Sequence, residues 1–286
     1  MSQARLKRAV DRMLQVTQEQ VVAALQATGV RSGDGLLVHS AVQFLGQPVG
    51  GIAMYHHALC AVLEDDRPPD SPLATPDSPL LTPNSSGTIA VPTFNFAFAR
   101  GEPYDPQSTP SEGMGAFSEY IRQLPQALRT AHSMQSLVAV GYHAEDLANR
   151  DTPSAFDPGS AFERMLELDF RLLLLGADIQ ATAMLHYCEQ RAGVPYRYWK
   201  DFTGQVKTTQ GWGTRTYRMF ARDMDIDPQI ELYPVVEVLQ ERGGWSSVKL
   251  NYGHISLCRL VDFVAVVDEF LARDPWSLVT NRPSNS

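Results

Sequence analysis

The sequence has few cysteines, no long apolar run and no signal-peptide pattern. Its three cysteines, Cys60, Cys188 and Cys258, are widely spaced, which fits neither a disulfide framework nor a CxxC metal pair. No apolar run approaches the roughly 20 residues that a membrane-spanning helix needs. The first residues form an amphipathic pattern and lack the apolar core of a signal peptide. We therefore expect a soluble, cytoplasmic protein that does not act in a membrane.

The charge balance of the chain is acidic. Acidic residues outnumber basic ones, 32 against 24, and the net charge is −8. No basic stripe stands out along the chain, so nucleic acid is not expected as a partner. An acidic protein is compatible with a cationic small molecule as its ligand.

Several common catalytic and metal-binding motifs are missing. There is no P-loop, no G-x-S-x-G elbow and no H-E-x-x-H zinc helix. Residues 210–215 nearly match the pyrophosphate loop of GCN5-type acetyltransferases, but no clear helix follows them to bind phosphate. Residues 223–227 have the early spacing of a calcium loop, but Pro228 stands where that loop needs glycine.

Cys188 lies two residues after His186, so on a helix the two side chains diverge by about 200° and cannot act as thiolate and base. We predict no metal site and no cysteine nucleophile.

Strand-like apolar runs alternate with helical patterns along most of the chain. This alternation predicts a three-layer α/β/α sandwich with a central mixed, largely parallel sheet. Four consecutive leucines at 172–175 are typical of a strand that helices cover on both faces. We see no internal repeat or interdomain linker, and expect residues 1–286 to form a single domain.

One segment interrupts the alternation. Residues 65–86 contain six prolines and are rich in Ser, Thr and Asp. Such a composition cannot supply a packed core, and we predict an exposed, flexible loop there. We assign no chemistry to it.

The most informative junction follows the leucine run. The predicted strand ends at Gly176, and the residues after it are predicted to form a helix. That helix would begin at the carboxyl end of the strand, where open α/β sheets bind their ligands. On a helix His186 and Glu189 are three residues apart and share a face. An imidazole beside a carboxylate can accept a proton and be stabilised as it becomes charged. The competing interpretation is a partly buried histidine beside a surface carboxylate, and the two residues alone do not decide between them.

Other small and polar residues stand at predicted strand ends and in connecting loops. Each has a structural explanation of its own, because Ser and Thr commonly cap helices and Gly punctuates turns. Arg129, in particular, is predicted to be a surface arginine unless an anion is bound nearby. The set comprises His39, Ser40, Thr93, Gly113, Met114, Gly115, Arg129, His132 and Ser136.

The order of these residues along the chain resembles the aminoglycoside N(3)-acetyltransferase family, which is separate from the GCN5-type enzymes. The resemblance covers residues from about 20 to about 200 in the family's order, and the C-terminal third matches only loosely. The matching stretches are 37–40 with 50–51, 87–93, 114–115, 129–132 with Ser136, 139–141, 173–176 with Thr182, Leu185, His186 and Glu189, and 194–197.

The resemblance implies the family's α/β/α sandwich, acetyl-coenzyme A as acyl donor and an amino group as acceptor. It implies His186 as the catalytic base and Glu189 as its carboxylate partner. The residues that it implies for the coenzyme A cleft are His39, Ser40, Ala41, Met114, Gly115, Arg129, His132 and Ser136. For the substrate, Asp178 is a candidate to bind an ammonium group or else to cap a helix, and Thr182 and Tyr104 are further candidates.

The chain also departs from the family pattern. Ser133 follows His132 where the family usually has proline, and Ala41 stands where a second serine is usual. We expect acetylation of an aminoglycoside or related amino sugar. Two alternatives stay open, namely N-acylation of a non-sugar amine in biosynthesis and a non-catalytic binding module that retains the fold. The oligomeric state is open as well, with a homodimer as the option considered.

Overall fold

A computed structural model describes residues 15–64 and 86–283. The proline-rich segment, for which a loop is predicted, lies outside the described residues apart from Ser86. The strands are β1 (Gln15–Val16), β2 (Gly35–Ser40), β3 (Gln47–Pro48), β4 (Thr88–Pro92), β5 (Leu128–Arg129), β6 (Leu137–Gly141), β7 (Arg171–Leu175), β8 (Arg197–Thr208), β9 (Gly211–Arg222), β10 (Ser246–Leu250) and β11 (Gly253–Arg259). The α-helices are α1 (Gln18–Thr28), α2 (Ala53–Leu63), α3 (Gly115–Arg122), α4 (Ala144–Ala148), α5 (Ala161–Glu167), α6 (Met184–Ala192), α7 (Tyr233–Glu241) and α8 (Leu260–Arg273).

Seven strands form the central sheet in the order β10-β11-β7-β2-β4-β6-β5. Strand β2 pairs in parallel with both β4 and β7, and the other four pairings are antiparallel. The predicted α/β fold with a mixed sheet is confirmed, but its parallel part is confined to the three central strands. Alternation of strands and helices does not determine the direction in which β6 and β11 return to the sheet, which is why the parallel part was expected to be larger.

Helices cover both faces of this sheet, and the leucine run of β7 serves both. Leu172 and Leu174 belong to the apolar cluster that includes residues of α5, α6 and α8. Leu173 and Leu175 belong to the cluster that includes residues of α1, α2 and α3. All four are buried, and burying a leucine side chain contributes roughly 2 kcal/mol of transfer free energy. The alternation of side chains along β7 therefore holds the three layers together.

The carboxyl ends of β2 and β7 meet at one edge of the sheet. The two strands are parallel neighbours, with Ser40 beside Leu175. Just beyond them, Gly176 has a φ of +74°, and a Cβ there would lie 2.7 Å from the carbonyl oxygen of Ala41. Only glycine allows this close approach without strain. The turns that follow β2 and β7 are thereby held against each other.

The helix predicted after Gly176 begins later than expected. Asp178 caps a short 3-10 turn, Ile179–Ala181, by accepting a hydrogen bond from the backbone N–H of Gln180 at 3.0 Å. Thr182 then has an extended backbone, and α6 starts at Met184. None of the helices in the described part of the chain is long and apolar enough to cross a membrane.

Candidate active site

His186 and Glu189 lie on one face of α6, as their spacing predicts. The Nδ1 atom of His186 is 2.8 Å from Oε2 of Glu189. The His186 side chain is 32% exposed, whereas the Glu189 side chain is completely buried. The competing interpretation required a carboxylate at the surface, and the structure contradicts it. Because an unpaired buried carboxylate is costly, Glu189 depends on the partners that surround it.

Arg197, the first residue of β8, is the second partner of this carboxylate. Its Nη2 atom is 2.8 Å from Oε2 of Glu189 and 3.1 Å from Nδ1 of His186. Burial alone would raise the pKa of Glu189, but the hydrogen bond from His186 and the charge of Arg197 outweigh it and hold that pKa below its usual value. Glu189 is therefore a carboxylate at neutral pH. The sequence analysis gave Arg197 no role, although the matching stretch 194–197 contains it.

The tautomer of His186 follows from these contacts. A guanidinium group only donates hydrogen bonds, so Nδ1 either donates to Glu189 or accepts from Arg197. Donation from Nδ1–H to Oε2 gives the buried carboxylate a second donor and leaves the lone pair on Nε2, away from Glu189. The ring of Phe156 meets the imidazole edge to face, with centroids 5.9 Å apart. His186 thus has a defined orientation and a nitrogen that is able to accept a proton.

Tyr196 adds a buried hydroxyl to the same cluster. Burial, and then the neighbouring Glu189 carboxylate, raise the pKa of this tyrosine well above its usual range. The hydroxyl therefore stays protonated beside the carboxylate. Sequence analysis assigned Tyr196 no role either.

His39, at the end of β2, connects the sheet edge to α6. Its Nε2 atom accepts a hydrogen bond from the backbone N–H of Ala183 at 3.3 Å, immediately before the helix begins. Burial, and to a smaller extent the proximity of His186, lower the pKa of His39 to about 4. The ring is neutral at neutral pH and its Nε2 is already bonded. His39 therefore holds the start of α6 in place.

Ser40, Ala41, Met114 and Gly115 come together beside this histidine. A Cβ on Gly115 would lie 3.5 Å from the carbonyl oxygen of Ser40 and 3.9 Å from its Oγ. The amino-terminal end of α3 therefore packs against the turn that follows β2. These four residues are partly or fully exposed, and their expected contact with coenzyme A stays a prediction.

Arg129, His132 and Ser136 lie in and beside the connection between β5 and β6. The Arg129 guanidinium donates to Oγ of Ser136 at 3.0 Å and to the carbonyl oxygen of Thr93 at 2.6 Å. It also donates to the carbonyl oxygen of Thr109, so the guanidinium links the segments that contain Thr93, Thr109 and Ser136. Ser136 and His132 are buried, and Nδ1 of His132 accepts from a backbone N–H three residues along. His132 and Ser136 thus make structural contacts, whereas Arg129 also lines the cleft described below, and a coenzyme A role for these three residues stays a prediction.

The three expected substrate residues have different environments. Tyr104 is buried beside the Arg129 guanidinium, whose central carbon is 5.2 Å from the ring centre. Thr182 is buried at the break before α6. Asp178 is exposed, and besides capping the 3-10 turn it accepts a hydrogen bond from the hydroxyl of Tyr233 at 2.7 Å. Of the three, Asp178 is the most exposed, and a substrate role for each of them stays a prediction.

A cleft of about 1070 Å³ lies elsewhere, between the β8–β9 hairpin and the ends of α3, α4 and β5. Its size is that of a ligand site, and Arg122, Arg129 and Lys207 line it. Two of these cations are paired, Arg122 with Glu119 and Lys207 with Asp105. His186 is not among its lining residues. The cleft alone therefore does not identify a reaction, and the His186 cluster remains the better indication of chemistry.

The fold and the cluster define an α/β sandwich with an imidazole and a buried carboxylate at the edge of its sheet. A family model described as aminoglycoside 3-N-acetyltransferase matches residues 37–272. The chain belongs to this family, and the resemblance found in the sequence is confirmed.

Individual relatives agree with this assignment. Aminoglycoside N(3)-acetyltransferase III of Salmonella sp is 32% identical over 188 residues, which are 65% of this chain and 64% of the relative. The matched region thus spans just under two thirds of that relative's length.

Solved structures share the fold. A binary complex of AAC-IIIb with CoASH has a TM-score of 0.72 at 22% identity, covering 94% of this chain and 100% of that chain. The neutron/X-ray structure of sisomicin-bound AAC-VIa also has a TM-score of 0.72 at 22% identity, covering 90% of this chain and 98% of that chain. At this level of identity the likeness establishes the fold alone.

Proposed function

We propose that this chain is an acetyl-coenzyme A-dependent N-acetyltransferase that acts on an amino group of an aminoglycoside or a related amino sugar. The observation that carries the proposal is the pairing of a partly exposed His186 with a fully buried, ionised Glu189 in a member of this family. The named ligands of two structures that share its fold, CoASH and sisomicin, supply the donor and acceptor classes.

The amine attacks in its neutral form, because an ammonium group has no lone pair. Its nitrogen becomes positively charged as the new bond forms, so a base must remove one proton from it. Nε2 of His186 takes a proton from the acceptor amine as the nitrogen attacks the acetyl carbonyl carbon. A C–N bond forms, the C–S bond breaks, and the leaving thiolate takes up the proton that His186 carries. Glu189 accepts the hydrogen bond from Nδ1–H throughout and stabilises the transient imidazolium. Help from a general base is worth about 10²–10⁴ in rate, and positioning must supply the rest.

We place the donor at the turn that follows β2. The amino-terminal end of α3 lies against this turn, and helix N-termini favour phosphate and developing negative charge. Gly115 has a φ of +84° and no side chain, which leaves its backbone accessible beside Ser40. Ser40, Ala41, Met114 and Gly115 are the proposed coenzyme A contacts, and the neighbouring His39 holds the start of α6.

The acceptor approaches His186 from the exposed side of the cluster. An aminoglycoside is a polycation, and the chain's net charge of −8 favours its approach. Asp178 offers an exposed carboxylate next to the turn that leads into α6. We propose that it pairs with an ammonium group of the substrate while it keeps its capping hydrogen bond.

The proposal is tested by incubating the purified protein with acetyl-coenzyme A and a panel of amines, with free thiol as the readout. The panel contains aminoglycosides, simple amino sugars and non-sugar primary amines. We expect acceptor-dependent thiol release with the first two groups. Release confined to non-sugar amines would overturn the acceptor assignment, and no release with any amine would overturn the enzymatic function.

A further inference from the structure

We infer that Arg197 is a positioning residue that acts through Glu189 and sets the proton affinity of His186. Its consequence for catalysis rests on the proposed function, whereas its effect on the imidazole does not. The Arg197 guanidinium lies between α6 and the β8–β9 hairpin.

The guanidinium is fixed from two sides. One nitrogen, Nη2, contacts Oε2 of Glu189 at 2.8 Å, and the other, Nη1, donates to the carbonyl oxygen of Phe220 on β9 at 3.2 Å. The Arg197 side chain is only 11% exposed. A planar fork of this kind holds two acceptors at once, which a lysine ammonium at the end of a flexible stem does not reproduce. Arg197 therefore fixes the position of Glu189 as well as its charge.

The same guanidinium opposes the protonation of His186. Nη2 is 3.1 Å from Nδ1, so an imidazolium would lie directly against a second cation. Glu189 acts in the other direction, because its carboxylate stabilises the imidazolium. The two charges therefore act on the imidazolium in opposite directions. With Glu189 alone, the ring would hold a proton more tightly and would be a base for a smaller fraction of the time.

Within the described part of the chain, three charged or titratable groups interact with the imidazole, while Tyr196 interacts with Glu189 and Arg197. They are Glu189 on the same helix, Arg197 on β8 and His39 on β2. His39 is buried and its pKa is lowered to about 4, so it carries no charge at neutral pH. The charge balance at His186 is accordingly decided by Glu189 and Arg197.

Three other described carboxylates interact with residues of α6 and have other side chains as partners. Asp157 accepts from Gln190, Glu163 accepts from Tyr187, and Asp268 pairs with Arg191. Each already has its own partner, and none of these contacts involves the imidazole.

The direct test is an NMR titration of the His186 ring in protein with labelled histidine, with the signal assigned by comparison with His186→Ala. We expect Arg197→Gln to raise the midpoint of the His186 titration by on the order of 1 pH unit, because the opposing cation is lost. We expect Arg197→Lys, which keeps the charge but not the fork, to raise it by less. The lysine variant also protects the test should the glutamine variant fail to fold around an unpaired Glu189.

Arg222→Gln is the matched control. Arg222 is the cross-strand partner of Arg197 in the β8–β9 ladder, but its guanidinium pairs with Asp227. The Arg222→Gln substitution removes one positive charge from the same end of the hairpin without removing a contact of His186. We therefore expect the midpoint of the His186 titration to stay unchanged. A midpoint that is the same in wild type, Arg197→Gln and Arg197→Lys would overturn the inference.

Kinetics provide the second readout. In the thiol-release assay, we expect Arg197→Gln to move the acidic limb of the kcat/KM profile to higher pH and to lower kcat more than it changes KM. A slower enzyme with an unchanged acidic limb would show a merely structural role for Arg197. If the wild-type protein transfers no acetyl group, the proposed function fails, and the NMR titration still decides what Arg197 does.

Discussion

At Glu189 and His186, the i,i+3 spacing in the sequence predicts a shared helix face but not which of the two side chains is buried. Burial is decided by residues far along the chain that pack against α6. The carboxylate is inside, with two N–H donors on Oε2, and the imidazole is partly exposed. This order suits a base that must meet a ligand while its partner stays charged and fixed.

Glu189→Gln is predicted to disable this arrangement through the tautomer of His186. Without the carboxylate charge, Arg197 is free to donate to Nδ1, and the proton of the neutral ring moves to Nε2. The nitrogen that faces the substrate then has no lone pair. We expect kcat to fall by on the order of 100-fold or more, with a much smaller change in KM. Steady-state kinetics of the thiol release measure this, and a kcat within a factor of three of the wild type would contradict the assigned role of Glu189.

Arg129 shows what residue-level reasoning from sequence does not supply, namely the hydrogen-bond partners of a side chain. The sequence predicts either a surface arginine or an anion-binding site at this position. In the structure its donors bind carbonyl oxygens of Thr93, Pro106 and Thr109 as well as Ser136. Three of these four partners are 20 to 36 residues away, so no local pattern could reveal them.

Among the elements, helices with caps at both ends carry their signal in neighbouring residues of the sequence. The capping box of Thr17 and Gln20 starts α1, and Gly29 ends it in a left-handed conformation. The β8–β9 hairpin was not predicted. Most residues of its two 12-residue strands are exposed or partly exposed, so the apolar alternation that marks a strand is weak there. Because Arg197 begins this hairpin, its contact with Glu189 could not be predicted either.

At the same scale, the contact between the turns after β2 and β7 depends on Gly176. We expect Gly176→Ala to lower the free energy of unfolding by about 2 kcal/mol or more, since both a positive φ and a contact with the Ala41 carbonyl oppose a Cβ. Urea unfolding measures the change. Gly193→Ala, at the end of α6, is the control, because its φ is +63° but nothing lies within 4 Å of its Cβ. Equal losses in the two variants would contradict the close approach.

For the molecule as a whole, the architecture was predictable and the partners of the polar groups were not. Apolar runs such as the leucines of β7 predicted the buried sheet, since periodicity and burial are local signals. Strand order, direction at the sheet edges and the polar network at the site arise from contacts between distant segments. The single-domain organisation, the homodimer and the cytoplasmic location stay predictions.

Three buried histidines make the stability of the whole chain depend on pH. Burial lowers the pKa values of His39, His56 and His132 to about 4 in the folded state, from an ordinary value of 6.5. Between these values the unfolded chain binds more protons than the folded one, so stability is full above about pH 6.5 and falls as the pH drops toward 4. We expect a loss on the order of several kcal/mol, seen as a lower midpoint of urea unfolding at pH 5 than at pH 7.5.

His56 provides the test variant, because both of its ring nitrogens are buried without a hydrogen-bond partner. His56→Leu removes one titrating group from the core of the described structure without breaking a hydrogen bond. It should therefore lose less stability between pH 7.5 and pH 5 than the wild type. The same loss in both proteins would show that His56 is not held neutral by folding.

The central claim, that His186 takes the proton from the acceptor amine, is tested most directly by one ratio. It is the kcat of His186→Ala relative to wild type in the thiol-release assay at pH 7.5, with the best aminoglycoside of the panel. We predict a ratio of about 0.01 or lower, with coenzyme A binding retained, and an unchanged kcat for His57→Ala on the opposite face of the sheet. A ratio near one would remove His186 from the mechanism.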